Sequence, residues 1–181
     1  MAPIFIISGP PGAGKSTVSR ELLKRFDKGM HISIDALRES VVSGMAMPFP
    51  DWTDETTNQF HLAFKSAALI ASTYAEAGFV VAIHQVLYPN DVKEFLEDGL
   101  TEFTLIKVFL NPNLDECLVR NAKRTNKDFD TSILNGEIKA MHPVLSERIA
   151  AEADWIVVNS TTQTVPETVN EILSRSRYIF Y

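Results

Sequence analysis

The segment Gly9-Pro10-Pro11-Gly12-Ala13-Gly14-Lys15-Ser16-Thr17 constrains this chain more than any other. It fits G-x-x-x-x-G-K-[ST] and sits between a short apolar run, Ile4–Ser8, and an amphipathic stretch from Lys15 to Phe26 whose Val18, Leu22, Leu23 and Phe26 share one face. Strand, glycine-rich turn and helix in that order make an anion cradle. Glycines at 9, 12 and 14 let backbone N–H groups turn inward without side-chain clash, and the helix starting near Lys15 adds the positive end of its dipole. The expected ligand is a nucleoside triphosphate, ATP with Mg²⁺. Gly9 to Thr17 would wrap the phosphates, Lys15 would reach the β and γ phosphates, and the Ser16 hydroxyl would ligate the metal.

The rest of the chain alternates in the same way. Strands are expected at His31–Ile34, Phe79–Ile83, Thr104–Leu110 and Trp155–Val158. Helices are expected at Ala36–Val42, Glu55–Ala77, Asn90–Glu97, Leu114–Arg124 and Glu167–Ser174. Apolar strands alternating with helices predict an α/β fold: a doubly wound five-stranded parallel sheet with helices on both faces and ligands at the carboxyl ends of its strands. One domain is expected over residues 1–181, with an insert for a second substrate at about 36–77 and a short polar lid at about 124–136. Met45–Asp54 reads as an irregular aromatic loop, holding Pro48, Phe49, Pro50 and Trp52.

Composition narrows the partners. A net charge of −6 and a pI near 5.2 speak against contact with a nucleic-acid backbone. Cys117 is the single cysteine, which rules out an intramolecular disulfide and fits a reducing compartment. The apolar run before Gly9 is too short for a signal-peptide core, and no stretch reaches the length of a membrane span. A cytoplasmic protein without membrane contact is expected. The aromatic tail Tyr178-Ile179-Phe180-Tyr181 either docks on the core or offers a homodimer surface.

Two motifs that would mark a switch GTPase fail. No glycine has an aspartate three residues before it, and in Asn126-Lys127-Asp128-Phe129 the aspartate comes one place too soon for N-K-x-D. Asp35 is placed to close the second strand. A carboxylate there can take the proton of a substrate hydroxyl as its oxygen attacks the γ phosphorus; an aspartate there can also cap the helix from Ala36. Arg38, three residues on, either holds an anionic group of the substrate or stays solvated. Arg120 and Arg124, spaced i, i+4, either neutralise the transferring phosphoryl group or form a solvated face beside Asp115 and Glu116. Lys123 and Lys127 read as solvated.

Gly9–Thr17, Asp35 with Arg38, Asn111-Pro112-Asn113, Leu118-x-Arg120-x-x-x-Arg124 and the closing strand Trp155–Asn159 together resemble the small-molecule P-loop kinases of the nucleoside-monophosphate-kinase fold. Chloramphenicol phosphotransferase, gluconate kinase and shikimate kinase are of this kind. The resemblance implies that Asp35 is the general base, that Arg120 packs near the adenine and that Arg124 faces the phosphates. One departure stands out. Such kinases often carry an aspartate at the end of the third strand, where this chain has His84 and Gln85, weaker partners for a hard cation. Either Asp35 then orders the metal's waters as well, or activity is low, and His84 becomes either a substrate contact or a structural histidine.

The acceptor pocket is expected to draw on Arg38, the Met45–Trp52 loop and Gln59. The apolar residues of that loop either cap the core or line a site for a ring-bearing acceptor. The leading function is ATP-dependent transfer of a phosphoryl group to the hydroxyl of a small molecule. A nucleoside or nucleotide kinase and a non-catalytic ATP-binding module are the alternatives.

Overall fold

The computed structural model describes residues 1–48, 51–124 and 130–176. Phe49 and Pro50 of the aromatic loop, residues 125–129 of the expected lid with Lys127 among them, and the aromatic tail lie outside the described residues.

Five parallel strands form one sheet: β1 (Ile4–Ser8), β2 (Gly29–Ser33), β3 (Val80–His84), β4 (Leu105–Leu110) and β5 (Trp155–Val158), in the spatial order β2-β3-β1-β4-β5. All five residues of both β1 and β3 are buried, which is why these central strands read as continuous apolar runs. Lys107 in β4 is an exception to that pattern; it pairs with Glu97 and Asp154.

Helices α1 (Lys15–Leu23), α2 (Ile34–Glu39), α3 (Asp54–Glu76), α4 (Pro89–Val92), α5 (Leu114–Ala122), α6 (Asn135–Ala150) and α7 (Val165–Arg175) complete the chain, with a π turn over Lys93–Glu97 and a 3₁₀ turn over Thr131–Leu134. Two apolar cores cover the sheet. Val18 and Leu22 of α1 join Val169 and Ile172 of α7 against Phe5, Ile7 and Ala82 on one face. Ala67, Ala71 and Ala75 of α3 join Leu145 and Ile149 of α6 against Ile4, Ile6 and Ile83 on the other. The sheet is doubly wound as the alternation required. Among the described residues no helix is long and apolar enough to cross a membrane.

Three differences from the sequence reading have physical causes. The second strand ends at Ser33, one residue earlier than expected, because the Ser33 hydroxyl accepts from the Ala36 N–H and caps α2. Asp35 therefore lies in the first turn of α2; it neither closes the strand nor caps the helix. Helix α5 stops at Ala122, so Arg124 follows the helix rather than continuing the i, i+4 ladder from Arg120.

The third difference is α6, which the sequence reading missed. Pro143 inside it removes one helical hydrogen bond, and its buried residues are only Ile138, Leu145 and Ile149. Tertiary packing and the 3₁₀ turn before it hold the helix in place. Asn121 donates to the Thr131 carbonyl at 2.7 Å, and the Thr131 hydroxyl returns a bond to the Asn121 carbonyl at 2.8 Å. The far part of the expected lid is thus anchored to α5.

Candidate active site

At the carboxyl edge of the sheet, Gly9 to Gly14 turn between β1 and α1. Two of the glycines have no room for a side chain. A Cβ on Gly9 would lie 2.6 Å from the Leu110 carbonyl oxygen, and one on Gly12, at φ +85°, would run into the carbonyl of Cys117. The loop is pressed against the end of β4 and the first turns of α5, and its shape depends on both. The Lys15 Nζ donates to the carbonyls of Gly9 (2.8 Å) and Pro10 (3.1 Å). Burial pushes this ammonium down from its usual 10.5 to about 8, with nearby Asp35 opposing the fall and Arg124 adding to it. A desolvated cation held by two carbonyl dipoles suits an incoming polyanion. The glycine cradle, Lys15 and the Ser16 hydroxyl that lines the same cavity fit triphosphate and metal together.

Beside the cradle, β2 and β3 end in register, Ser33 opposite His84. Just beyond them the Gln85 amide donates to Asp35 Oδ1 at 2.7 Å, while the Gln85 Oε1 accepts from the Val86 N–H. His84 is 9% exposed, its ring lies 4.8 Å from that of His31, and its buried Nε2 has no hydrogen-bond partner within the protein. Burial, with Lys15 as the next cause, pushes His84 down to about 3. Burial likewise takes His31 to about 4. Both rings are neutral at physiological pH.

The cradle opens into a cavity of about 1290 Å³ that Asp35, Arg38, His84, Arg120 and Arg124 also line. Rings from Trp52, Phe60, His61, Phe64, Tyr88 and Phe95 and the side chains of Met45, Met47 and Met141 line it as well. Arg38 is 4% exposed; its Nη2 donates to the Ala46 carbonyl at 2.6 Å and its guanidinium lies 3.9 Å from the Phe60 ring centre.

A family model described as an AAA domain matches residues 4–147, most of the chain. The chain belongs to this AAA-domain family. No curated protein matches it in sequence. Solved structures share its fold at low identity. A sugar kinase from Janibacter sp. is 18% identical with a TM-score of 0.62, over 96% of this chain and 94% of that one. A gluconokinase from Sinorhizobium meliloti is 20% identical with a TM-score of 0.65, over 96% and 91%. The tunicamycin resistance protein of Deinococcus radiodurans is 13% identical with a TM-score of 0.63, over 98% and 96%. The fold is the α/β P-loop fold that these structures share.

In this AAA-domain chain the residues singled out in the sequence converge, with instructive exceptions. Lys15, Ser16, Thr17, Asp35, Arg38, Trp52, His84, Arg120 and Arg124 all line the one cavity. Arg38 is buried, which removes the solvated alternative. Arg120 forms an ion pair with Glu116 at 2.7 Å and donates to the Ser160 carbonyl at 2.9 Å, tying α5 to the loop after β5 beside Gly14. Gln59 stands apart. It is 7% exposed and donates to the Gly44 carbonyl and Glu55 Oε1 while accepting from the Ala46 N–H, so it braces the 44–46 loop behind the cavity instead of lining it.

Phe60, Phe64 and Phe95 are among the cavity residues the sequence does not single out for the site. The first two recur at helical spacing, which marks a buried face without saying that the face borders a cavity. Phe95 meets Phe64 from the π turn over Lys93–Glu97, a contact no local pattern announces.

Proposed function

We propose that this chain is a phosphotransferase that moves the γ-phosphoryl group of MgATP to a hydroxyl of a small molecule. The observation that carries the reading is that Lys15 and Asp35 line one cavity whose further wall is apolar and ring-rich. A phosphate-binding cation, a carboxylate and a chamber for a second molecule are the parts that such a transfer requires.

Lys15 would hold the β and γ phosphates, with Arg124 adding positive charge at the same place. The backbone of Gly9 to Thr17 would fix the triphosphate so that its γ phosphorus faces Asp35. Gln85 holds the Asp35 carboxylate through Oδ1, and that carboxylate would accept the acceptor's hydroxyl proton. As the new oxygen–phosphorus bond forms, the bond from the γ phosphorus to the β–γ bridging oxygen breaks and ADP leaves. Mg²⁺, when bound, would neutralise charge on the phosphate oxygens. Ser16 would supply its protein ligand. Among the described residues no three His, Cys, Asp or Glu side chains gather as a metal site, so phosphates and water would complete its shell. His84, neutral and with Nε2 unpaired, would hydrogen-bond a substrate or water rather than carry charge.

The test is acceptor-dependent ADP release from MgATP against a panel of alcohols, with Lys15→Ala as control. Release that requires both an alcohol and Lys15 supports the reading. Intact MgATP binding by calorimetry with no turnover on any alcohol would leave a non-catalytic ATP-binding module.

A further inference from the structure

Strand β3 is apolar from Val80 to Ile83 and then ends in an imidazole. His84 lies in register beside Ile7, one residue before the end of β1, and beside Ser33 at the end of β2. It stands where β1 runs into the phosphate cradle, and it lines the same cavity as Lys15 and Ser16. Among the charges that act on this ring, Lys15 acts most strongly.

Nothing in the protein bonds the Nε2 of His84. The residue is 9% exposed and that nitrogen is buried without a partner, a costly state for a polar atom in the wall of a ligand cavity. Neighbouring polar groups are taken up elsewhere. The Ser8 hydroxyl donates to the Leu87 carbonyl, and Gln85 bonds Asp35 and the Val86 N–H. His31 packs its ring 4.8 Å away at 34°, yet its own Nε2 is equally unpaired, so neither ring satisfies the other. His31 is not among the residues that line the cavity; His84 is. An imidazole left unbonded at a cavity that also holds the cradle's serine is a nitrogen ligand in waiting.

The surrounding charge decides how an ion would arrive. Lys15 and Arg20 of α1 act on His84 against Asp35 of α2. Two cations opposed by one acid repel a bare divalent ion. A triphosphate seated in the cradle reverses that balance, so the ion enters as its nucleotide complex. Mg²⁺ prefers oxygen and gives up water reluctantly; with it, the imidazole would meet a coordinated water. Co²⁺ and its neighbours in the first transition row bind imidazole nitrogen directly and more strongly.

We infer that the metal position of the nucleotide site prefers a borderline divalent transition ion, Co²⁺ over Mg²⁺, with the His84 imidazole as its nitrogen ligand in place of one water. The inference specifies the metal for the proposed phosphotransfer and rests on the nucleotide site of that reading.

Affinity for a non-hydrolysable ATP analogue is measured by calorimetry with saturating Co²⁺ and with saturating Mg²⁺, on wild type, His84→Ala and His84→Asp. Wild type is expected to bind the Co²⁺ complex about tenfold more tightly than the Mg²⁺ complex, and both variants to lose that preference. Proton NMR of the Co²⁺ complex reads the ligand directly, because an imidazole bound to the ion shows an exchangeable ring N–H signal far outside the diamagnetic range. That signal is expected in wild type and absent from His84→Ala; the wild-type spectrum alone tests the inference if a variant fails to fold. Equal affinity for the two complexes, no shifted signal in wild type, or a signal that survives in His84→Ala overturns the inference. Where the analogue still binds with Mg²⁺ in those cases, the phosphotransferase reading stands. Failure to bind with either ion refutes the nucleotide site and the inference with it.

Discussion

The side-chain amide of Gln85 donates to Asp35 Oδ1 at 2.7 Å and so ties the end of β3 to the first turn of α2. Where an acid would order metal and water, this chain has a neutral group that holds the carboxylate itself. Gln85→Ala removes that bond to the carboxylate. We expect kcat to fall about tenfold, the worth of one hydrogen bond to a charged group, with the KM for MgATP within about twofold of wild type. Steady-state kinetics with a productive acceptor checks it; an equal loss in MgATP affinity would mean that Gln85 shapes the nucleotide site instead.

Lys15 sets a pH dependence for nucleotide binding. With its ammonium lowered to about 8 by burial, the free protein loses this cation as pH rises through 8. Phosphates favour the charged form, so binding should draw in a proton near and above pH 8, and affinity should fall by up to about tenfold per pH unit there. Calorimetry of MgATP in buffers of different ionisation enthalpy detects that proton. No proton uptake between pH 7.5 and 9 would contradict the buried position of the amine.

Buried neutral histidines act in the opposite pH range. His84 titrates at about 3 in the folded chain, against 6.5 when unfolded. Between those values the unfolded state binds the extra proton, so stability is lost as pH falls below 6.5 and continues to fall toward 3. The loss from His84 is on the order of 2–4 kcal/mol over that window. His84→Gln is expected to flatten the decline in melting temperature between pH 7 and pH 5, as read by calorimetric scans.

Gly12→Ala tests the seating of the phosphate loop. Its Cβ would strike the carbonyl of Cys117, at a φ of +85° that side chains avoid. We expect a destabilisation of about 2–3 kcal/mol and at least a hundredfold loss of MgATP affinity. A denaturant titration and a binding isotherm on the same sample separate the two effects.

Gln59→Leu should loosen the 44–46 loop without touching the nucleotide. The expected result is a severalfold rise in the acceptor's KM, an unchanged KM for MgATP, and a stability loss of about 1–3 kcal/mol from the unpaired loop backbone.

The phosphate cradle was legible in the sequence because its chemistry is local: glycines, lysine and serine act within one turn of chain. The sheet was legible for a related reason, since strands such as Val80–His84 are buried on both faces and so uniformly apolar. Asp35 was expected to close the second strand and lies instead in the first turn of α2, because the Ser33 cap, a single competing hydrogen bond, starts the helix earlier. Gln59 was expected in the acceptor pocket with the start of α3, and its amide bonds the 44–46 loop backbone instead, a choice that only the fold makes. Helix α6 was lost to Pro143 and its sparse buried stripe. The ring wall depends on Phe95 meeting Phe64 and His61 from another element, and no spacing within α3 encodes that meeting.

The central claim is that Asp35 receives the acceptor's proton during transfer from MgATP. Its most direct measurement is the kcat of Asp35→Asn beside wild type on a productive alcohol, with MgATP affinity measured on the same preparations. The account predicts a fall in kcat of at least a hundredfold, with MgATP affinity within a few-fold of wild type. Equal kcat in the two proteins would contradict it.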